Sequence, residues 1–201
     1  MYQFTNDSQI RHALRTTLFK ELYLDTDILV IEELGLEYGL SRIDFAVASD
    51  KLIGYELKSD LDTLDRLPQQ VRHYNAIFEE INLVVGYQHA YKALKMIPNW
   101  WGVYFAEMCS DGVIRFSIAR DPKKNPKPVK SSIAKLLWRD ELLQFLAEFE
   151  LDFYYKYKTR DELSEKLAEK YDYNSLVDKV CDQLKHRANW RVGTLHKKYA
   201  Y

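Results

Sequence analysis

Residues 42–58, Arg-Ile-Asp-Phe-Ala-Val-Ala-Ser-Asp-Lys-Leu-Ile-Gly-Tyr-Glu-Leu-Lys, constrain this chain more than any other stretch. Ile43, Phe45 and Val47 alternate on one side of Ser49-Asp50-Lys51, and Ile53, Tyr55 and Leu57 alternate on the other, so the stretch reads as two short strands and a tight turn. Side chains change face at every strand residue, so both apolar sets share a face only if the turn has odd length. A three-residue turn meets that condition and sets Asp44 beside Glu56, with Lys58 one pleat further along. The expected hairpin thus has an apolar face and an opposite face carrying two acids and a lysine.

That grouping has a chemical reading. Two neighbouring carboxylates repel unless a cation lies between them, and hard oxygen ligands suit Mg²⁺ or Mn²⁺. Such an ion acidifies bound water and neutralises charge growing on a phosphate, and a nearby lysine orients the water or stabilises the charged transition state. A plainer reading is the polar side of a half-exposed sheet, where Asp, Glu and Lys are ordinary. The preceding segment, Ile28 to Tyr38, reads as a strand with Ile28, Val30, Leu34, Leu36 and Tyr38 on one face, turning at Gly39-Leu40. The same parity argument places Glu33 and Glu37 on the Asp44 face and Glu32 on the apolar side. Glu33 is the expected third acid, with Glu37 and Glu32 as alternatives, and a bulge in this strand would reverse the choice.

Around this centre the pattern is α/β. Ser8 caps an expected helix over 8–24 carrying Ile10, Leu14, Leu18 and Leu22. A polar connection, 59–67, leads to Pro68 and a helix in which Gln70 and Tyr74 share a face, with Ile77, Phe78 and Ile81 for the core. Leu83-Val84-Val85 follows as a buried strand. Gln70 lies over the acids on this reading, where its amide would hold a phosphate or water; a helix Gln is more ordinarily solvated.

The order helix, three antiparallel strands, helix, strand, together with Asp44, Glu56-Leu57-Lys58, Glu33 and Gln70, resembles the PD-(D/E)XK nuclease superfamily. Arg42-Ile43-Asp44, residues 54–60 (Gly-Tyr-Glu-Leu-Lys-Ser-Asp), 62–67 (Asp-Thr-Leu-Asp-Arg-Leu), Gln70 with Tyr74, 98–102 (Pro-Asn-Trp-Trp-Gly) and 137–142 (Leu-Trp-Arg-Asp-Glu-Leu) are similar to a bacterial and phage subgroup of MmcB-type DNA repair proteins. The likeness covers about residues 8–150. It implies a restriction-endonuclease-like αβββαβ core and metal-dependent hydrolysis of DNA phosphodiesters, with Asp44, Glu56 and Glu33 around Mg²⁺ or Mn²⁺, Lys58 assisting the water, and Gln70 in the site. Ile43 stands where the motif has proline.

Composition bounds the rest. The 201 residues, 47% hydrophobic, suffice for a sizeable core, and a net charge of −1 leaves any nucleic-acid binding to local patches. Cys109 and Cys181 lack metal-type spacing, and no signal peptide or long apolar run is visible, so a cytoplasmic protein without membrane attachment is expected. His73 and His89 are read as hydrogen-bonded or solvated rather than catalytic. Trp100 and Trp101 open a further strand, read as packed rings or as a base-stacking platform, which turns at Asp111-Gly112 into 113–119.

Three parts are expected: a nuclease-like core over 1–120, a basic proline-rich linker over 121–130, and a helical region over 131–201. From Arg120 to Arg139 there are seven Lys or Arg against one Asp, a net of +6, which suits phosphate contact or simple solvation. Helices are expected over 131–149, after a Thr159–Glu162 capping box, and through Leu176, Val177, Val180 and Leu184. The last two resemble a helix-turn-helix followed by Lys185, Arg187, Arg191, Lys197 and Lys198, although a packing appendage has the same pattern. The reading from the sequence is a DNA nuclease, acting as a homodimer if both strands of a duplex are cut. Its rival is a non-catalytic nucleic-acid-binding module on the same fold.

Overall fold

The computed structural model describes residues 3–187. Six strands form one mixed sheet in the order β1-β2-β3-β4-β5-β6. β1 (Leu29–Leu36), β2 (Ser41–Ala48) and β3 (Leu52–Lys58) are an antiparallel meander. β4 (Glu80–Gly86) runs parallel to β3 and β5 (Gly102–Met108) parallel to β4, while β6 (Ile114–Arg120) returns antiparallel along β5. Each parallel step needs a crossover, supplied by α2 (Leu67–Ile77) and α3 (Tyr87–Leu94). α1 (Asp7–Thr16) precedes the sheet. The fold is therefore α/β, a six-stranded mixed sheet flanked by helices, with the expected helix, three strands, helix, strand at its start.

The first helix is shorter than its apolar spacing suggested. Asn6, not Ser8, caps it through a reciprocal box with Gln9, and the helix ends at Thr16, after which Thr17 leaves helical backbone geometry. Phe19 is nevertheless buried, packed edge-on to Phe45 and Tyr55, so the apolar residues beyond the helix are carried by turns. Ile81, expected on the helix after Pro68, belongs to β4. α2 stops because Phe78 turns extended while its N–H still bonds to the Tyr74 carbonyl.

The three-residue turn at 49–51 is present, with Ala48 opposite Leu52 and Phe45 opposite Tyr55. The expectation for the two faces holds only in part. Phe45, Val47 and Leu57 pack with Ile10 and Leu14 of α1, but Ile43 packs on the other face with Phe78 and Leu83. β1 does the same: Val30 joins the α1 layer, whereas Leu34 and Leu36 join the opposite one. The change occurs where Glu33 and Asp44 face each other. The ladder pairs Glu32 with Phe45 and Leu34 with Ile43 and skips the residues between, and Glu33 adopts φ 57°. Both strands thus cross faces together without losing register. Gly54 makes the crossing sterically feasible, since a Cβ there would lie 2.5 Å from Ile43 Cδ1.

The face carrying the acids, half-exposed on the plainer reading, is the larger core. Ala46, Ala48, Leu52, Leu83 and Val85 on that face pack with Tyr74, Ile77 and Trp101, and also with Leu137, Leu142, Leu167, Val180 and Leu184 from the C-terminal helices. Those helices are α4 (Lys130–Ala134), α5 (Arg139–Ala147), α6 (Asp152–Tyr155), α7 (Arg160–Lys170) and α8 (Tyr173–His186). The one or two helices expected over 131–149 are two, α4 and α5, separated at 135–138, where Trp138 becomes the cap of α5. The capping box at Thr159 and Glu162 is present.

Residues 121–130 are pinned along the core. Asn125 is buried, donates from Nδ2 to the Asn75 and Phe78 carbonyls, and bonds through its backbone N–H to Glu79, while the Lys123 and Val129 N–H groups reach Trp100 and Ala76. Of the basic residues expected to face DNA, Lys185 donates to the Ser49 carbonyl, and Arg187 is buried against Glu141. Arg191, Lys197 and Lys198 lie outside the described residues. Among those described, no helix is long and apolar enough to cross a membrane.

Candidate functional site

A cleft of about 740 Å³ opens where β1, β2 and β3 end against the starts of α1 and α2. Asp44, Glu56, Lys58, Glu33 and Gln70 all line it, joined by Asp7, Arg11, Arg42, Asp62, Arg66 and Gln69. The five residues expected from the sequence therefore share one cavity, in which Glu56 and Lys58 are buried rather than on the polar side of a half-exposed sheet.

Glu56 is its buried centre, 1% exposed. Oε1 accepts from Gln70 Nε2 at 2.6 Å and from the Lys58 ammonium, which is itself nearly inaccessible. Tyr74 brings its hydroxyl to 2.7 Å from Glu56 Oε2 and to 2.7 Å from the Arg42 carbonyl, and with a single proton it donates to one of them at a time. Burial and the charge on Glu56 raise the Tyr74 phenol well above its ordinary pKa, so it remains a donor. Gln70 and Tyr74, one helical turn apart on α2, thus hold Glu56 from above, as their spacing suggested. Gln70 Oε1 is buried without a hydrogen-bond partner.

Asp44 lies at the crossing point of the strands. Oδ2 accepts from the Leu57 N–H at 2.7 Å, and Oδ1 accepts from Arg11 of α1. Arg11 also bonds Asp7 at 2.7 Å and Glu33 at 2.6 Å, and its guanidinium carbon stands 5.5 Å from the centre of the Phe45 ring. Glu33 is held from the outer side by Arg42 at 2.7 Å. Glu33 therefore lines the cleft because β1 crosses faces, not because its parity is regular. Glu32 turns to Arg15 on the α1 side, and Glu37 pairs with Lys135 away from the cleft.

Burial and the neighbouring Glu56 push the Asp44 carboxyl up to about 7, against the opposing pull of Arg11, the Leu57 N–H and Lys58. A carboxyl that holds its proton more tightly folded than unfolded, where it titrates near ~4, costs stability once ionised. The contribution of Asp44 to stability should therefore fall as pH rises from about 4 towards 7, and Asp44→Asn should remove that fall. Thermal unfolding of both proteins at pH 5 and pH 8 tests this; equal pH dependence in the two would exclude Asp44 as its source.

The polar string after Lys58 is largely structural. Asp60 accepts from the Thr5 N–H and hydroxyl, both at 2.8 Å, and from the Gln88 N–H at 3.0 Å, closing the N-terminal segment and the start of α3 onto β3. Asp62 accepts from the Ser59 N–H and hydroxyl. His73 and His89 each have a buried ring nitrogen without a partner, and neither lines the cleft. Trp101 is fully buried, stacked at 19° on Tyr74 with Nε1 donating to Asn75 Oδ1, and Trp100 meets it edge-on, so the rings pack rather than form a surface platform.

Arg11 was not foreseen. It lies 33 residues from Asp44, and only the docking of α1 brings them together; its one sequence signal is Asp7 four residues before it. Among the described residues, no group of three or more His, Cys, Asp or Glu side chains is gathered closely enough to hold a metal ion. The oxygens near Glu56 that would serve are two carboxylates and one unpartnered amide.

Comparison with known proteins shows one relative across nearly the whole chain. Protein cII of Enterobacteria phage P4 is 26% identical over 187 residues, covering 93% of this chain and 69% of its own length. A solved structure of a protein of unknown function from Silicibacter pomeroyi overlaps 77% of this chain and 95% of its own at 13% identity, with a TM-score of 0.45. Residues 3–197 match the family described as bacteriophage P4 protein cII, and the chain belongs to that family.

Proposed function

We propose that the sheet is a nuclease core of the PD-(D/E)XK type and that the cleft hydrolyses DNA phosphodiester bonds with Mg²⁺ or Mn²⁺. The observation that carries this reading is the buried arrangement of Glu56, Lys58 and Gln70 beside Asp44, on one cleft rimmed by Arg42 and Arg66. The donor set fits a hard divalent ion: Asp44 and Glu56 are adjacent carboxylates, and Gln70 Oε1 has no other partner. Asp44 and Glu56 would hold the ion, while Glu33, the expected third acid, is engaged by Arg11 and Arg42. Bound there, the ion would supply acidification of water and neutralisation of phosphate charge.

The chain's own residues do the rest. Lys58, fixed by Glu56, donates to the attacking water or to charge developing on the phosphate. Tyr74 and Gln70 fix the Glu56 rotamer, and Arg42 and Arg66 bind the backbone on either side. Membership of a phage family favours phage DNA processing over repair as the setting.

The test is nucleolysis of plasmid, linear duplex and single-stranded DNA with each metal, for the wild type, Glu56→Gln and Lys58→Met. Metal-dependent cleavage that falls by about 10²–10³-fold in each variant is the expected result. The rival reading, a non-catalytic DNA-binding module, is favoured by one observation: Arg11 already neutralises Asp44. It would be supported by metal-independent, salt-sensitive DNA binding, unchanged in both variants, with no cleavage.

A further inference from the structure

We infer that Arg11 is an exchangeable internal cation, released from Asp44 by a substrate phosphate, so that metal and nucleic acid bind this cleft cooperatively. The inference rests on the metal-site reading above. Its basis is the position of the guanidinium. Arg11 stands among Asp7, Glu33 and Asp44 on the cleft wall, with its guanidinium carbon 5.5 Å from the centre of the Phe45 ring. A divalent ion at Asp44 and Glu56 would face this fixed positive charge at close range, and Asp44 has its other oxygen engaged by the Leu57 N–H. The ion and Arg11 therefore compete for one carboxylate.

A phosphodiester changes that balance. It offers the guanidinium a planar, doubly accepting anion, the geometry for which Arg is best suited. When Arg11 turns to the phosphate, Asp44 loses its counter-charge and becomes a better metal ligand. Arg42 stays on the cleft rim to hold Glu33. Linkage makes the effect reciprocal: a phosphate that tightens metal binding is itself bound more tightly when metal is present.

The experiment measures Mn²⁺ affinity by calorimetry, with and without a 12-base-pair phosphorothioate duplex that resists hydrolysis. It compares wild type, Arg11→Met, which keeps an unbranched side chain without the charge, Arg11→Lys, which keeps the charge, and Asp44→Asn. The wild type should bind Mn²⁺ about tenfold more tightly with the duplex than without it. Arg11→Met should bind Mn²⁺ about tenfold more tightly than wild type without DNA and gain nothing from the duplex. Arg11→Lys should match the wild type without DNA. A neutral methylphosphonate duplex should leave Mn²⁺ affinity unchanged.

Tightening by the duplex that persists in Arg11→Met, or wild-type Mn²⁺ affinity indifferent to the duplex, overturns the inference; loss of binding in Asp44→Asn would then leave the metal site standing. Absence of Mn²⁺ binding in every protein, with or without duplex, overturns both the inference and the reading on which it rests. If Arg11→Met does not fold, Arg11→Gln, which also lacks the charge, takes its place with the same expected and overturning results.

Discussion

Glu56→Ala is expected to lower the stability of the folded chain by about 3–5 kcal/mol, measured by urea denaturation near neutral pH. The carboxylate is 1% exposed and accepts from Lys58, Gln70 and Tyr74 at once. Truncating it leaves the buried Lys58 ammonium without its carboxylate and strands the Gln70 amide, while Tyr74 keeps the Arg42 carbonyl as acceptor. The double variant Glu56→Gln with Lys58→Met removes both charges and keeps an acceptor oxygen for Gln70, while the new amide N–H donates to the Tyr74 hydroxyl, and it should recover most of the loss. A cost below about 1 kcal/mol for Glu56→Ala would mean that the pair behaves as a hydrated surface bridge. The result bears on how activity data are read: loss of cleavage in Glu56→Ala would confuse unfolding with chemistry, which is why Glu56→Gln is the informative catalytic variant.

Trp101→Ala should be nearly as costly, about 3–5 kcal/mol. The indole is completely buried at the start of β5, packs 6.2 Å from the Tyr74 ring, and gives its N–H to Asn75. Its removal opens a cavity beneath the tyrosine that steadies Glu56, and frees α2 from β5. Trp101→Phe should lose less, since it keeps the ring packing and gives up only the hydrogen bond. Guanidinium denaturation with near-ultraviolet circular dichroism reads both effects. A Trp101→Ala protein within about 1 kcal/mol of wild type would show that the ring is replaceable and that Tyr74 is held by other contacts.

Much of the site was legible because hairpin geometry is local. An odd turn between two alternating strands allows one pairing, and that pairing alone brings Asp44, Glu56 and Lys58 together. The helical repeat likewise put Gln70 and Tyr74 on one face, and the structure has both on Glu56. What the pattern could not reveal is that the acid-bearing face is buried. Alternation reports two faces but not what covers them, and the cover here comes from α2 and from helices more than 70 residues further along the chain.

The choice among Glu32, Glu33 and Glu37 shows the same limit at a single residue. Parity pointed to Glu33, and Glu33 does line the cleft, yet the regular strand assumed in that argument is absent. The crossing at Glu33 and Asp44 depends on a left-handed backbone in one strand, an unpaired position in the other, and the space that Gly54 leaves for Ile43. None of these is visible from residue types in one strand taken alone.

By itself, then, the sequence determined the element order, the three-residue turn, the acid-acid-lysine grouping and the α2 face above it, all of which follow from periodicities of two or 3.6 residues. Only the tertiary structure decided the rest. It set Arg11 on Asp44, buried Glu56, pinned the proline-rich segment through Asn125, and folded Lys185 and Arg187 back into the body. Each of those contacts joins residues that share no local repeat, so packing of distant elements, not spacing along the chain, chose the partner.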